Sequence, residues 1–508
     1  MHENAVAIGI DLGTTNSAVA YVAASGRTVM IGNSAGDTLT PSVVYFAEDA
    51  IVVGKEARKA MRYDSDRVAR DAKRDIGKKH YRRPIAGRML PPQVISACIL
   101  GQLKKDIRRE IASPLGIVLT VPAYFDERRR EATMDAAKLA DLPLLDMINE
   151  PVAASLSFAE HLGYLDEMNR PAECRNLLVY DLGGGTFDVS VISLGPDVAT
   201  TVSTDGDMQL GGIDWTQRIF DHVLERWAEA QQHRPTLTDD QLARLWDQVE
   251  ECKLTLSARE SVTLDFEFSN EPLRLVITRS DFHDWTADLL ERTVLTARQA
   301  LAAAGMTWAD ISHILLIGGA TRMVRIAQRL EEVTGIAPEQ VVNPDEAVAR
   351  GAALVAESLL SRQTAGRRPR FQVVQVNAHS LGVEGVEPTT NQRRNITIIP
   401  KNSPLPTQRV HRFVTLRDRQ TSVVVNVLEG DNPDPQHCQL IGRVVLKDLP
   451  ADLAAGTPVE VSYHYAANGK LEVRATLPET TLEVVAQFQR EGGLDAETSQ
   501  YWRDMIGP

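Results

Sequence analysis

The chain has 508 residues, of which 43% are hydrophobic and 24% charged, as in an ordinary globular protein of roughly three domains. Its net charge of -13 argues against nucleic-acid binding as its main role, and no apolar run is long enough to span a membrane. Four widely spaced cysteines give neither a zinc motif nor a disulfide framework, and no secretory signal is visible. These features favour a cytoplasmic protein without nucleic-acid or membrane partners.

The first predicted element is a strand-turn-strand unit at residues 5–22, AVAIGIDLGTTNSAVAYV. A tight turn needs little more than Gly13, yet this one also carries Asp11, Thr14 and Thr15. A carboxylate and two hydroxyls at the tip of a buried hairpin suggest a ligand-binding site.

A second segment, residues 176–194, repeats this pattern as NLLVYDLGGGTFDVSVISL. The repetition of an apolar run, Asp-Leu-Gly and a further alternating run predicts two related lobes. If the lobes face each other, Asp11 and Asp181 meet across a cleft.

Both turns carry groups suited to phosphate and Mg²⁺. Glycines let backbone N–H groups approach phosphate oxygens, threonines donate hydrogen bonds, and carboxylates are the oxygen ligands that Mg²⁺ prefers. This combination suits phosphoryl transfer, and the chain has no P-loop, serine-hydrolase or zinc-protease motif. The residues that offer these groups are Asp11, Gly13, Thr14, Thr15, Asp181, Gly183, Gly184, Gly185, Thr186 and Asp188.

Through about residue 360, apolar runs alternate with helical patterns at 126–142, 239–257 and 280–305, which indicates an α/β fold. The apolar run before Gly318 and Gly319 ends where a helix begins, a position that can bind a phosphate or ribose.

A polar, basic stretch near 361–370 indicates a linker. From about residue 377 the segments are short and β-rich, and Asn468-Gly469 predicts a hairpin with a type I′ turn. The last residues predict one short helix.

Six segments closely resemble the DnaK-type seventy-kilodalton heat-shock chaperones, within the actin and sugar-kinase superfamily: GIDLGTTNS, LLVYDLGGGTFDVSVI, VPAYFDERRREAT, INEPVAAS, LIGGATRM and NPDEAVARGAA. The resemblance is collinear from about residue 5 to about residue 478. It implies a two-lobed, actin-like α/β ATPase domain with a duplicated ribonuclease-H-like fold, followed by an antiparallel β-sandwich. The implied boundaries are an ATPase domain at 1–365, a linker at 366–376, a peptide-binding sandwich at 377–481 and a tail without a helical lid at 482–508.

The resemblance also implies ATP or ADP as ligand, with Mg²⁺ and K⁺ as candidate ions. Lys73 matches the lysine that positions the attacking water and the γ-phosphate, and Glu150 matches the carboxylate near that water. Asp181, Thr186 and Asp188 complete the implied catalytic set, and Asp11, Asp181 and Asp188 the implied metal ligands. The implied nucleoside contacts are Lys253, Ser257, Gly318, Gly319, Arg322 and Asp345.

For the β domain, the resemblance implies binding of unfolded or extended hydrophobic polypeptide, in the context of protein folding and the stress response. Pro122 and Arg130 match a switch that relays the nucleotide state, and a J-domain co-chaperone and a nucleotide exchange factor are the implied partners. The implied peptide contacts are Val383, Val386, Phe413, Leu416, Val423 and Val425.

Some features depart from the family pattern. Ile213 replaces an acidic residue near the ribose, which predicts weaker nucleotide binding. Gln375 replaces a linker carboxylate, which predicts weaker coupling between the domains. The segment after Lys73 is short, the loop at 384–395 is long and polar, and a missing lid predicts faster peptide release.

These observations favour an ATP-hydrolysing, chaperone-like protein. Two alternatives remain from the sequence: a nucleotide-gated scaffold with little turnover, and an actin-fold kinase that acts on a small molecule.

Overall fold

The computed structural model describes residues 6–111, 114–165, 173–232, 237–268, 271–339, 342–365, 371–387, 390–466, 469–478, 480–488 and 496–506. Its helices and strands follow in chain order as β1 (Val6–Asp11), β2 (Asn16–Val22), β3 (Thr28–Met30), β4 (Leu39–Pro41), β5 (Val43–Phe46), β6 (Ile51–Val53), α1 (Lys55–Ala60), β7 (Val68–Arg70), α2 (Pro92–Glu110), β8 (Pro114–Val121), α3 (Glu127–Leu139), β9 (Leu144–Asn149), α4 (Glu150–His161), β10 (Arg175–Leu182), β11 (Phe187–Leu194), β12 (Val198–Asp207), α5 (Gly212–Gln231), α6 (Asp239–Ala258), β13 (Ser261–Phe268), β14 (Glu271–Thr278), α7 (Arg279–Trp285), α8 (Ala287–Ala303), β15 (His313–Ile317), α9 (Val324–Thr334), α10 (Ala347–Ala365), β16 (Gln372–Val374), β17 (Leu381–Val386), β18 (Arg393–Ile399), β19 (Thr407–Val414), β20 (Val423–Glu429), β21 (Gln439–Leu446), β22 (Pro458–Tyr465), β23 (Leu471–Thr476), β24 (Glu483–Phe488) and α11 (Ala496–Ile506).

Two mixed sheets carry the two predicted hairpins. In the first sheet the order is β3-β2-β1-β8-β9, with β4 also paired to β2, and β1 is antiparallel to β2 and parallel to β8. In the second sheet the order is β15-β10-β11-β12-β16, and β10 is likewise antiparallel to β11 and parallel to β15. The repeated sequence pattern therefore corresponds to the same strand arrangement in both sheets, and the predicted α/β character is confirmed.

Helix α10 packs against β1 and α4, and glycines make this contact close. A Cβ atom on Gly351 would lie 1.7 Å from the carbonyl oxygen of Ala153, and one on Gly9 would lie 2.1 Å from the backbone nitrogen of Ala353. Only residues without a side chain fit at these two positions.

The predicted helices at 126–142 and 239–257 are confirmed as α3 and α6. The predicted helix at 280–305 is two helices, α7 and α8, because Thr286 between them departs from helical backbone angles (φ -119°, ψ 9°). Its hydroxyl donates to the carbonyl oxygen of Phe282, which satisfies one of the last carbonyls of α7.

Two four-stranded antiparallel sheets, β18-β17-β20-β21 and β19-β22-β23-β24, enclose a hydrophobic core in the β-rich region, and a second, smaller cluster lies around Leu446 and Val459. Strands β22 and β23 form the predicted hairpin, with Tyr465 opposite Leu471 and with Gly469 at a φ of +83°. Asn468, the other predicted turn residue, lies outside the described residues. Strand β24 completes the second of these sheets, although the resemblance implies a tail at residues 482–508.

The linker joins the second mixed sheet as a strand. β16 pairs in parallel with β12, while residues 366–370 of the predicted linker lie outside the described residues. At the other end of the β-rich region, α11 packs on α2 and α3 through Trp502, Met505 and Ile506. None of the helices within the described ranges is both long and apolar enough to cross a lipid bilayer.

Candidate functional site

The hairpin turns of the two mixed sheets line one cavity of about 250 Å³, called here the central cavity. It brings together sixteen residues that the sequence analysis selected: Asp11, Gly13, Thr14, Thr15, Lys73, Glu150, Asp181, Gly183, Gly184, Thr186, Lys253, Ser257, Gly318, Gly319, Arg322 and Asp345. Gly185 and Asp188 lie behind this lining: Gly185 packs against Thr14 and Arg74, and Asp188 is buried in β11.

The two turns approach each other closely because glycines occupy their tips. A Cβ atom on Gly184 would lie 2.0 Å from the hydroxyl oxygen of Thr15, and one on Gly185 would lie 2.8 Å from a methyl carbon of Thr14. The repeated motif predicts that Asp11 and Asp181 meet across a cleft if the two lobes face each other, and the structure places the two turns in direct contact.

A buried ion pair lies on the wall of the central cavity. The Nζ of Lys73 is 2.6 Å from Oε1 of Glu150, and both residues are less than a tenth exposed. Lys73 lies in a short 3₁₀ turn after β7, and Glu150 is the first residue of α4. Burial alone would lower the pKa of Lys73, but the charges of Glu150, Asp11 and Asp181 raise it above its usual value. Lys73 therefore stays a cation at neutral pH.

The negative charges of the carboxylates around this pair are not balanced by the one ammonium group of Lys73. Burial, together with the charge of Glu150, raises the pKa of Asp11 to about 7 and that of Asp188 to about 7. The same causes, with Asp188 and Asp11 as further negative neighbours, raise the pKa of Asp181 well above its usual value. A hydroxyl donor from Thr120 at 3.3 Å from Asp11 offsets this only in part.

The chemistry of this donor set fits a divalent cation. Buried carboxylates with raised pKa values gain most from a nearby positive charge. No three acidic, histidine or cysteine residues within the described ranges are grouped to hold a metal on protein ligands alone. Mg²⁺, which keeps several waters and is shared with phosphate oxygens, needs no such group.

The far end of the central cavity contains the predicted nucleoside contacts. The guanidinium of Arg322 is 2.6 Å from Oδ2 of Asp345, and both residues line the cavity. Gly318 has a φ of +83°, and a Cβ atom there would lie 2.9 Å from Oδ1 of Asp181. Lys253 is buried and donates to the carbonyl oxygen of Gly212 and to the Thr216 hydroxyl, each at 2.8 Å.

Two residues that close this end of the cavity are not among those predicted from the sequence. Arg58 on α1 and Glu250 on α6 line the cavity and form an ion pair of 3.1 Å between the two halves of the α/β region. Glu250 lies three residues before Lys253 on one helix, so helical spacing from the predicted lysine could have identified it. Ile213 lies outside the lining of the central cavity, beside a small neighbouring pocket with Trp246 and Asp247.

Arg130 and Gln375 lie between the α/β region and the sandwich. Arg130 donates to the side-chain oxygen of Asn149, and the backbone N–H of Asn149 donates to Oε1 of Gln375 at 3.0 Å. Pro122 precedes this contact region, and its carbonyl oxygen accepts from the N–H of Phe125 at 3.2 Å. Gln375 therefore keeps a hydrogen-bond acceptor where the family pattern has a carboxylate.

Further contacts join the sandwich to the same surface. Tyr124 donates its backbone N–H to Oδ1 of Asp188 at 2.9 Å, and its carbonyl oxygen lies 3.1 Å from Nε2 of His379. The carboxylate of Glu429 accepts from the N–H of Glu127 at 3.3 Å, at the first turn of α3. One residue, Tyr124, thus contacts both Asp188, behind the cavity lining, and the β-rich region.

The six predicted peptide contacts fall into two groups, one buried in the sandwich core and one at least partly exposed. Val383 and Val425 are 3% and 2% exposed and pack between the two sandwich sheets. Phe413 and Val423 are half-buried at the margin of that core, and Val386 is half-buried at the end of β17. Leu416 is 62% exposed. In this arrangement, only the last four offer surface to a peptide.

Comparison with known proteins agrees with these motifs. The family described as "Hsp70 protein" matches residues 7–89 and 81–504. The chain belongs to the Hsp70 family. It is also 37% identical over 478 residues to "Chaperone protein DnaK" from each of two strains of Halobacterium salinarum, covering 92% of this chain and 72% of those proteins.

Proposed function

We propose that this Hsp70-family chain is an ATP-dependent chaperone that hydrolyses ATP to ADP and phosphate and binds extended hydrophobic polypeptide in its β domain. In this proposal the two mixed sheets belong to two lobes that close around ATP in the central cavity. The observation that carries it is the buried ion pair of Lys73 and Glu150, which lies in one cavity with both glycine-threonine turns.

The roles of the residues follow from their charge and position. The turns at Gly13 and Gly184 expose backbone N–H groups, and Thr14, Thr15 and Thr186 offer hydroxyl donors to phosphate oxygens. The ammonium of Lys73 attracts the γ-phosphate, and Glu150 fixes this ammonium and accepts a hydrogen bond from the attacking water. Mg²⁺, when bound, would neutralise charge between phosphate oxygens; Asp11, Asp181 and Asp188 would hold it, in part through its waters.

The contact of Asn149 with Gln375 supports a proposal for coupling. Asn149 directly precedes Glu150, so a movement of the linker reaches the ion pair through one peptide unit. The family resemblance extends this proposal to a J-domain co-chaperone and a nucleotide exchange factor as partners. The predicted weaker coupling stays a prediction, which the exchange of the Gln375 amide for a carboxylate tests.

Single-turnover ATP hydrolysis tests the proposed function directly. We expect hydrolysis by the parent chain, acceleration by an unfolded apolar peptide, and loss of at least about 100-fold in Lys73→Ala. Lys79→Ala is the matched control, because Lys79 lies on the same segment and is exposed. Nucleotide binding without hydrolysis in the parent would favour the scaffold alternative, and a phosphorylated small molecule the kinase alternative.

A further inference from the structure

Strand β19 lies at the edge of its sheet and is unusually exposed. It is terminal in the order β19-β22-β23-β24, so one side of its backbone has no neighbouring strand among the residues that the structure describes. Val410 and Val414 are 56% and 54% exposed. An edge strand with apolar side chains in solvent is a surface on which a further strand can pair.

The pairing register shows that the inner face of the second sandwich sheet is not covered by the first sheet at β19. Arg409 and His411 lie opposite Tyr463 and Val461 and therefore share their face of the sheet. Tyr463 and Val461 are buried between the sheets, whereas Arg409 and His411 are exposed. The inner face of the sandwich is thus covered at β22 and open at β19, with half-buried Phe413 at the margin of the opening.

This edge is basic within an acidic protein. Residues 407–422 contain four arginines and one acidic residue, while the whole chain carries a net charge of -13. Arg412 is paired with Glu460 at 2.8 Å. Arg409, Arg417 and Arg419 form no ion pair with any residue that the structure describes. Their guanidinium groups are available to an external carboxylate.

Apolar and basic side chains are mixed on both faces of this edge. Val410 and Val414 share a face of β19 with Arg412, Phe413 shares the other face with Arg409, and exposed Leu416 lies beside Arg417 just beyond the strand. A partner that matches this surface is extended, pairs its backbone with β19, and carries both apolar and acidic side chains. A basic partner would meet like charges at the same positions.

We propose that residues 407–422 form a docking edge that selects extended polypeptide segments in which aspartate or glutamate flanks apolar residues. The inference rests on the proposed peptide binding and specifies the class of peptide. Backbone pairing with β19 supplies contacts independent of sequence, the valines, Phe413 and Leu416 supply the apolar contacts, and the unpaired arginines supply the preference for acidic flanks.

Binding of two matched nonapeptides tests this selection. The peptides share their apolar residues and carry either glutamate or lysine at the positions that flank them, and fluorescence anisotropy measures their affinity for the full chain. We expect the glutamate peptide to bind about tenfold more tightly at low salt, and the difference to narrow at high salt because exposed charges are screened. In Arg409→Glu combined with Arg417→Glu, we expect the preference to reverse.

The controls separate this inference from the proposed function. Arg298→Glu reverses the charge of an exposed arginine on α8, and it should leave the peptide preference of the parent chain unchanged. If the double glutamate variant loses the circular-dichroism spectrum of a folded protein, Arg409→Gln combined with Arg417→Gln replaces it in the test. This neutral variant should reduce the preference for the glutamate peptide without reversing it. Equal or tighter binding of the lysine peptide by the parent overturns the acidic selectivity alone. Failure of both peptides to bind overturns it together with the proposed peptide binding.

Discussion

The side-chain oxygen of Gln375 accepts a hydrogen bond from the backbone N–H of Asn149, the residue before Glu150. This bond joins the linker to the residue directly before α4, and Glu150, the first residue of α4, holds Lys73 in the central cavity. The linker is therefore three contacts away from the position proposed for the γ-phosphate.

Substitution of Gln375 tests this route. Gln375→Glu keeps the shape and adds a charge, which strengthens the acceptor toward the N–H of Asn149, with Arg130 close by. We expect the ratio of ATP hydrolysis with and without peptide to rise in Gln375→Glu and to fall toward one in Gln375→Ala. An unchanged ratio in both variants would show that coupling does not pass through this bond. Gln372→Ala, an exposed neighbour in β16, is the control.

The ion pair of Lys73 and Glu150 predicts unequal effects of removing its two members. Lys73→Ala leaves Glu150, Asp11 and Asp181 without their common cation, and we expect a loss of about 3 kcal/mol in the free energy of unfolding. Glu150→Gln removes one negative charge from a crowded set and should cost less. Urea unfolding without nucleotide measures both, and a larger loss in Glu150→Gln would contradict the charge balance described here.

The raised pKa values of Asp11 and Asp188 predict a pH dependence of stability. Because both pKa values rise from about 3.8 to about 7 on folding, the folded, unliganded chain binds more protons than the unfolded chain between these values. The contribution of Asp11 and Asp188 to the free energy of unfolding should therefore fall as the pH rises from 4 toward 7. Asp188→Asn should flatten the profile, and Mg²⁺ with ADP should stabilise the parent more at pH 8 than at pH 5.5. A parent profile as flat as that of Asp188→Asn would exclude this contribution.

Two glycines inside helices should respond in opposite directions to alanine. Gly351→Ala places a Cβ atom 1.7 Å from the backbone oxygen of Ala153, and we expect a loss of about 3 kcal/mol or more, because neither helix backbone can move alone. Gly101 on α2 has no atom within 4 Å of the same position, and Gly101→Ala should stabilise the chain by about 0.5–1 kcal/mol. Thermal unfolding of both variants measures the difference; similar shifts would contradict the close contact of α10 with α4.

The contact of α11 with α2 and α3 predicts a protected C-terminal segment. Trp502 and Met505 pack against the core of the first mixed sheet, while Tyr501 beside them is 58% exposed. We expect Trp502→Ala with Met505→Ala to speed proteolytic removal of a C-terminal tag about tenfold, and Tyr501→Ala to leave the rate near that of the parent. Equal cleavage rates in all three proteins would show that α11 does not remain docked in solution.

The parts of the site that the sequence predicted are those with unusual chemistry at a turn. Asp11, Gly13 and the threonines around them are recognisable because a buried hairpin has no structural need for them. Lys73 was identified only through the resemblance, since a lysine among basic neighbours otherwise indicates a solvated surface. Its burial depends on Glu150, which lies 77 residues away in the chain.

What the sequence did not predict depends on packing between distant segments. Arg58 and Glu250 are ordinary charged residues on helices, and only the approach of α1 to α6 makes them a pair. The break at Thr286 interrupts a segment with one continuous helical pattern, and β24 belongs to the sandwich because β23 offers an open edge. Burial of Val383 and Val425 reflects the closed spacing of two sheets, which a pattern of alternating residues does not specify.

The two ends of the β-rich region are anchored to different parts of the α/β region. Strand β16 extends the second mixed sheet, whereas α11 rests on the helices of the first. The β-rich region therefore bridges the two mixed sheets, so that a hinge motion between these sheets would change the distance between its two anchors and would strain the weaker of them first.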